Sequence, residues 1–302
     1  AEYTGARHSV FVNSGSSANL LAWFSLVSPA WRVPFETGFE VIVPAVAWST
    51  TIWPIVQAGG IPVFVDCNLD SLTMDVSAVE GAITNKTVAV CPVHPLGNVC
   101  DMTALTNLCE RYDLLLVEDA CEALGSRYDG VLAGRFGLMG TYSFYFSHHM
   151  TTIEGGMIVT DDDDLAGLLR IQRSHGWSRM EREVEQIPFE QRYRFLTTGF
   201  NVKPSELNAS IGLHQLAKLE EMNRRRVKAT RALLERLAPH IANGHLVPMA
   251  VDSNVEAAFF GFPVLCRTEE ERNLLAIHLE ARGVETRPII CGNMARQPAI
   301  ER

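Results

Sequence analysis

Short, fully apolar runs alternate along this chain with longer stretches in which apolar side chains recur at helical spacing. Runs over residues 40–43, 61–66, 87–93 and 114–119 read as buried strands, the last closing on two carboxylates, Glu118 and Asp119. Between them, residues 18–26, 49–58 (with Pro54 inside), 75–83 and 102–112 carry the helical period. Strands apolar on both faces that alternate with helices predict an α/β fold with a mostly parallel sheet. In such sheets ligands collect at the carboxyl ends of the strands, where this reading puts Asp119.

The pattern changes after Glu206. Residues 207–219 suit a helix, and 216–237 continue helical and highly charged. Runs 257–265 and 284–290 then resemble strands of a smaller α+β unit. We therefore expect a large domain over residues 1–220 and a small one over 221–302. At 302 residues and 47% hydrophobic content, the chain is long enough for that division.

Charge removes several classes of function. The net charge is −9 and no basic tract exceeds Arg224-Arg225-Arg226, which argues against nucleic-acid binding. The apolar runs are too short to span a bilayer, and no charged-then-apolar export signal opens the chain. Seven dispersed cysteines without a Cys-x-x-Cys pair suggest reduced thiols and a cytoplasmic protein.

Several segments carry chemistry. NSGSSANL (13–20) places a glycine and serine hydroxyls ahead of an apolar helix. Such a start suits a phosphate, and also suits an ordinary serine cap. Asp119, at a strand end, could pair with a cationic ring nitrogen or cap the next turn. Trp48 could stack on a planar ligand or pack into the core. Ser143 could bind phosphate or satisfy a strand. SFYFSHHMTTIEGG (143–156) then sets two adjacent imidazoles, His148 and His149, before an acidic residue and two glycines.

Taken in order, these segments resemble the DegT/DnrJ/EryC1/StrS sugar aminotransferase family, with the type I fold of pyridoxal-phosphate enzymes. The resemblance runs from Ser9 to the end. It includes NSGSSANL, VPAVAWSTT, PVFVD, VEDACEALGS, SFYFSHHMTTIEGGM, TGFNVKPSELNASIGL and ETRPIICGN. It implies that Gly15, Ser16 and Ser143 hold the phosphate of pyridoxal 5′-phosphate or pyridoxamine 5′-phosphate. It also implies that Trp48 stacks on the ring and Asp119 pairs with the ring nitrogen; Glu122, on the turn where relatives often carry Gln or His near the phenolic oxygen, could take that place or not. Asn201 would reach the phosphate of a neighbouring subunit in a homodimer, and Arg287 could meet a substrate anion. Relatives begin earlier and run past Arg302, so the small domain is expected to be incomplete.

One residue is missing. Most members carry a lysine six positions before the glutamate of the E-G-G turn, and it links covalently to the cofactor. Here His148 stands there. The only lysines are Lys86, Lys203, Lys218 and Lys228, none of them between residues 87 and 202. An imidazole has no primary amine to condense with an aldehyde, but it moves protons near neutral pH.

The same replacement marks a small branch of the family: dehydratases that remove the C3 hydroxyl of nucleotide-linked 4-keto-6-deoxyhexoses. One kind acts on CDP-sugars and holds an iron–sulfur cluster on cysteines after the E-G-G turn. Residues 155–200 contain no cysteine, so neither that metal centre nor its reductase partner is expected. The resemblance is greater to the cluster-free kind, which acts on a GDP-linked 4-keto-6-deoxymannose with glutamate as amino donor. His148 is then the expected catalytic base, and His149 an ordinary turn residue.

Overall fold

In the computed structural model, which describes residues 1–178 and 188–300, seven strands form the central sheet. They are β1 (His8–Val12), β2 (Glu40–Pro44), β3 (Ile61–Val65), β4 (Thr87–Val90), β5 (Leu115–Asp119), β8 (Met139–Ser143) and β9 (Gly156–Thr160); β6 (Arg127–Tyr128) and β7 (Val131–Leu132) lie apart as a small ribbon. Their order is β1-β9-β8-β5-β4-β2-β3. Strands β8, β5, β4, β2 and β3 pair in parallel, and β9 runs antiparallel to both of its neighbours, β8 and β1. The expected mostly parallel sheet is therefore present.

Successive strand residues enter opposite cores, as a period of two requires. Val41 and Val43 join the core that also holds α1 (Gly15–Leu26), α2 (Ser49–Gln57) and α5 (Asp163–Arg173), whereas Ile42 joins the core under α3 (Val76–Ala82) and α4 (Met102–Tyr112). Both faces are covered, which explains why these strands read as unbroken apolar runs. Leu21, Leu26 and Ile52 are fully buried, each contributing about 1.5–3 kcal/mol of transfer free energy.

Three elements differ from the sequence reading. Helix α1 begins at Gly15 rather than 18, because the Ser14 hydroxyl caps it by accepting the Ser17 N–H at 3.0 Å. The regular strand β4 ends at Val90, before Pro92, which has no N–H to donate, although Cys91 N–H still donates to the Ile42 carbonyl and Val93 bridges to Asp119. The two charged helical stretches form one helix, α6 (Glu206–Ala242), started by a capping box at Ser205. Residue 220, where the sequence reading puts its boundary, lies inside α6.

Beyond α6, β10 (Leu246–Pro248) pairs with β12 (Val264–Cys266), β11 (Val255–Glu256) joins β6, and α7 (Glu269–Glu280) packs nearby. The expected strand 257–265 is formed only at its end. Its earlier amides donate elsewhere, Ala258 N–H to Ser126 Oγ at 3.0 Å and Phe260 N–H to the Leu96 carbonyl at 2.9 Å. The expected strand 284–290 is irregular, with Pro288 inside it and Ile290 at φ 45°. Among the described residues, no helix is long and apolar enough to cross a membrane.

Candidate active site

The carboxyl ends of β5 and β8, the start of α1 and the loop between β8 and β9 meet around a cavity of about 380 Å³. That volume lies in the range of small-molecule sites. Gly15, Ser16, Trp48 and Asp119 line it, as do Glu122, Ser143, His148 and Arg287. Asn201 is exposed, bridges to Ser174 and is not among the lining residues.

The start of α1 is shaped by a close approach. A Cβ at Gly15 would stand 2.6 Å from Ser143 Cβ and 2.9 Å from its Oγ, so only glycine lets the first turn of α1 sit against the end of β8. Gly156 is under the same constraint, since a Cβ there would meet the Ser14 carbonyl oxygen at 2.2 Å. The first intrahelical bond runs from Ala18 N–H to the Ser14 carbonyl. The Gly15 and Ser16 amides precede it and are free for an anion at the helix start. Ser16 Oγ lies 2.9 Å from Thr50 Oγ1, which adds hydroxyls to the rim.

Asp119 is held on both oxygens. Its Oδ2 accepts from Asn19 Nδ2 at 2.9 Å and Thr51 Oγ1 at 2.7 Å, and its Oδ1 accepts the Cys121 N–H at 3.1 Å. Thr141 Oγ1 in turn donates to Asn19 Oδ1 at 2.6 Å. A buried carboxylate so fixed is preorganised to face a cation. Asn19 and Thr51 were missed in the sequence, although an asparagine inside an apolar helix demands a partner. Glu118 turns to the opposite face. It accepts the Gly134, Phe136 and Gly137 amides and lies 3.1 Å from His94 Nε2, so it is structural. Trp48 is 55% exposed, with its face available rather than spent in the core.

No lysine lines the cavity; Lys203 is the one nearest in sequence to the Asn201 motif, and its Nζ donates to Ser174 Oγ at 3.1 Å. His148 takes the lysine position. Its Nδ1 is buried without a partner. Burial pushes its pKa down to about 4, helped by Arg287 and Arg226 and opposed by Asp119. The imidazole is thus neutral at pH 7, in the form that accepts a proton. Glu122 shifts the other way: burial raises its pKa and Asp119 adds to this, against the Leu96 N–H that it accepts and the charge of Arg287. His149 is buried and hydrogen-bonded to Ala258.

Two amides and a hydroxyl for a phosphate, an exposed indole face and a fixed carboxylate fit a pyridoxal-type cofactor. All of residues 1–302 match the description of the DegT/DnrJ/EryC1/StrS aminotransferase family. The chain belongs to this family. GDP-4-keto-6-deoxy-D-mannose 3-dehydratase of Yersinia pseudotuberculosis is 39% identical over 99% of this chain and 77% of its own length. The E. coli protein of that name, solved with bound hydrated PLP, superposes with a TM-score of 0.91 at 34% identity, covering 99% of this chain and 78% of that one. A structure of GDP-4-keto-6-deoxymannose-3-dehydratase with a trapped PLP–glutamate geminal diamine gives 0.87 at 33% identity, covering 98% and 78%. The α/β fold of this family member is that of PLP-dependent aminotransferases, as the sequence motifs imply.

Proposed function

We propose that this chain removes the C3 hydroxyl of a nucleotide-linked 4-keto-6-deoxyhexose, GDP-4-keto-6-deoxy-D-mannose, using pyridoxal/pyridoxamine 5′-phosphate and glutamate as amino donor. The observation that carries this reading is His148 in place of the lysine, in a cavity that no lysine lines. The names of the relatives at 39% and 34% identity support the same substrate.

When bound, the pyridine ring supplies an electron sink conjugated to the sugar carbon next to the departing hydroxyl. Asp119, fixed by Asn19 and Thr51, keeps the ring nitrogen protonated. The Gly15 and Ser16 amides and Ser143 Oγ would hold the phosphate, Trp48 would cover the ring face, and Glu122 would stand near the phenolic oxygen. His148 would accept the proton of the cofactor carbon that bears the amine and would donate one to the leaving C3 oxygen. A buried imidazole with its pKa near 4 holds such a proton poorly and passes it on. Arg287, exposed at the cavity edge, meets the anionic part of the substrate. Hydrolysis then yields ammonia and a 3-deoxy-4-keto sugar.

The active unit is a homodimer in which Asn201 serves the neighbouring site; its exposure outside its own cavity supports this. So do the exposed apolar Phe146 and Ile153 in the loop between β8 and β9 that frames the site. Two domains, 1–220 and 221–302, share α6. The reaction belongs in the cytoplasm, where the cysteines, all unpaired, stay reduced. The test is turnover with glutamate and the GDP-keto sugar. Equal 2-oxoglutarate and ammonia with a 3-deoxy sugar is expected, whereas an amino sugar without free ammonia overturns the reading.

A further inference from the structure

One aromatic side chain outside the sequence-derived site touches both histidines. The Phe260 ring lies 5.0 Å from the His148 imidazole at an interplanar angle of 70°, and 5.6 Å from that of His149. It lines the cavity, is buried, and has Arg287 Cζ 5.2 Å from its centroid.

Its backbone is fixed from four sides although it belongs to no strand. Phe260 N–H donates to the Leu96 carbonyl at 2.9 Å, and Ala258 N–H donates to Ser126 Oγ at 3.0 Å. From α6, Arg226 Nη1 donates to the Phe260 carbonyl at 2.9 Å and the Phe259 carbonyl at 3.3 Å. His149 Nε2 lies 2.6 Å from the Ala258 carbonyl. A carbonyl only accepts, so the His149 proton is on Nε2 and its tautomer is set. The approach of this segment also constrains Gly97, which has φ 89° and where a Cβ would lie 2.0 Å from the Ala258 oxygen. His149 is thus a strut. It ties the loop that carries His148 to the segment that carries Phe260.

We propose that Phe260 is the positioning residue of His148: held through His149 and Arg226, its ring fixes the imidazole plane and seals it from water, so that protons pass between cofactor and sugar rather than to solvent. The catalytic half of this statement rests on the dehydration reading; the geometric half does not. The charged and titratable groups around His148 are Asp119 from β5, Arg287 from the chain after α7 and Arg226 from α6, with Glu122 beside Asp119, and Glu154 and His149 from the β8–β9 loop. Burial, which Phe260 helps to supply, outweighs them in the low pKa of His148.

The test uses the full, cofactor-loaded chain with its histidines carbon-13 labelled at Cε1 and His148 assigned by His148→Asn. In Phe260→Ala the His148 midpoint should rise by about one pH unit or more. The kcat for dehydration should fall about tenfold or more, with KM for the nucleotide sugar within about threefold. Phe260→Tyr should restore both. Should Phe260→Ala fail to fold, Phe260→Leu carries the test, with a smaller shift in the same direction. An unmoved midpoint overturns the proposal whatever the activity. A raised midpoint with unchanged kcat overturns its catalytic half. A wild-type protein without dehydration, in which Phe260 still sets the midpoint, sinks the dehydration reading while supporting the positioning.

Discussion

Gly15→Ala is the sharpest probe of the phosphate cup. The new methyl would stand 2.6 Å from Ser143 Cβ, against an ordinary carbon contact of about 3.5–4.0 Å, so something must move by roughly 1 Å. Ser143 cannot yield easily, because it is paired to Gly156 of β9, which itself lies against the Ser14 carbonyl. What moves is the start of α1, with the Gly15 and Ser16 amides. Overpacking of this kind costs about 1–3 kcal/mol of stability. Two misplaced amide bonds to an anion cost about 1.5–3 kcal/mol each. At about 1.4 kcal/mol per tenfold, cofactor affinity should fall at least about a hundredfold. The assay is an absorbance titration with pyridoxal phosphate, run beside thermal unfolding. Gly167→Ala is the control: on α5, with nothing within 4 Å of an added Cβ, it should leave binding unchanged. Cofactor affinity of Gly15→Ala within about threefold of wild type would refute the reasoning.

Three further predictions follow from the same geometry. His148 and His149, pushed down to about 4 and about 3, titrate near 6.5 when unfolded, so the unfolded chain binds more protons below that value. Stability should be complete above pH 6.5 and decline as pH falls through 6.5 toward 3; urea titrations should show this slope, flattened in His148→Asn, and an equal slope in both proteins would contradict it. Glu118→Gln can keep one oxygen on the Phe136 and Gly137 amides only by turning its N–H₂ against the Gly134 N–H and His94; it should cost about 3 kcal/mol and lower Tm by roughly 5 °C, without changing which sugar is used. Mixing His148→Asn with Asn201→Ala subunits should restore roughly a quarter of wild-type activity if each site draws on two chains, and none if it does not.

The sheet was legible because its strands are buried on both faces and lack competing polar positions; β2, α2, α4 and the end of β5 at Asp119 stand where the pattern puts them. Part of the cavity lining was legible because Gly15, Asp119 and Ser143 stand at the ends of elements and Trp48 just before α2, whereas Glu122, His148 and Arg287 lie in loops and were reached with the family resemblance. What escaped depends on long-range partners. Asn19 and Thr51 reveal their role only once α1 and α2 converge on Asp119. Phe260 read as one more strand residue, because apolar composition cannot show that its amide bonds to Leu96 instead of to a strand. Pro288 and the positive φ of Ile290 defeat the strand expected over 284–290.

The central claim is that no side-chain amine captures the cofactor and that an imidazole stands where one would. Borohydride reduction in the presence of pyridoxal phosphate, followed by intact-mass analysis, tests this most directly. Wild type should remain unlabelled, while His148→Lys should gain one stable pyridoxyl group and lose dehydration. A pyridoxyl group fixed on any lysine of the wild-type chain would contradict it.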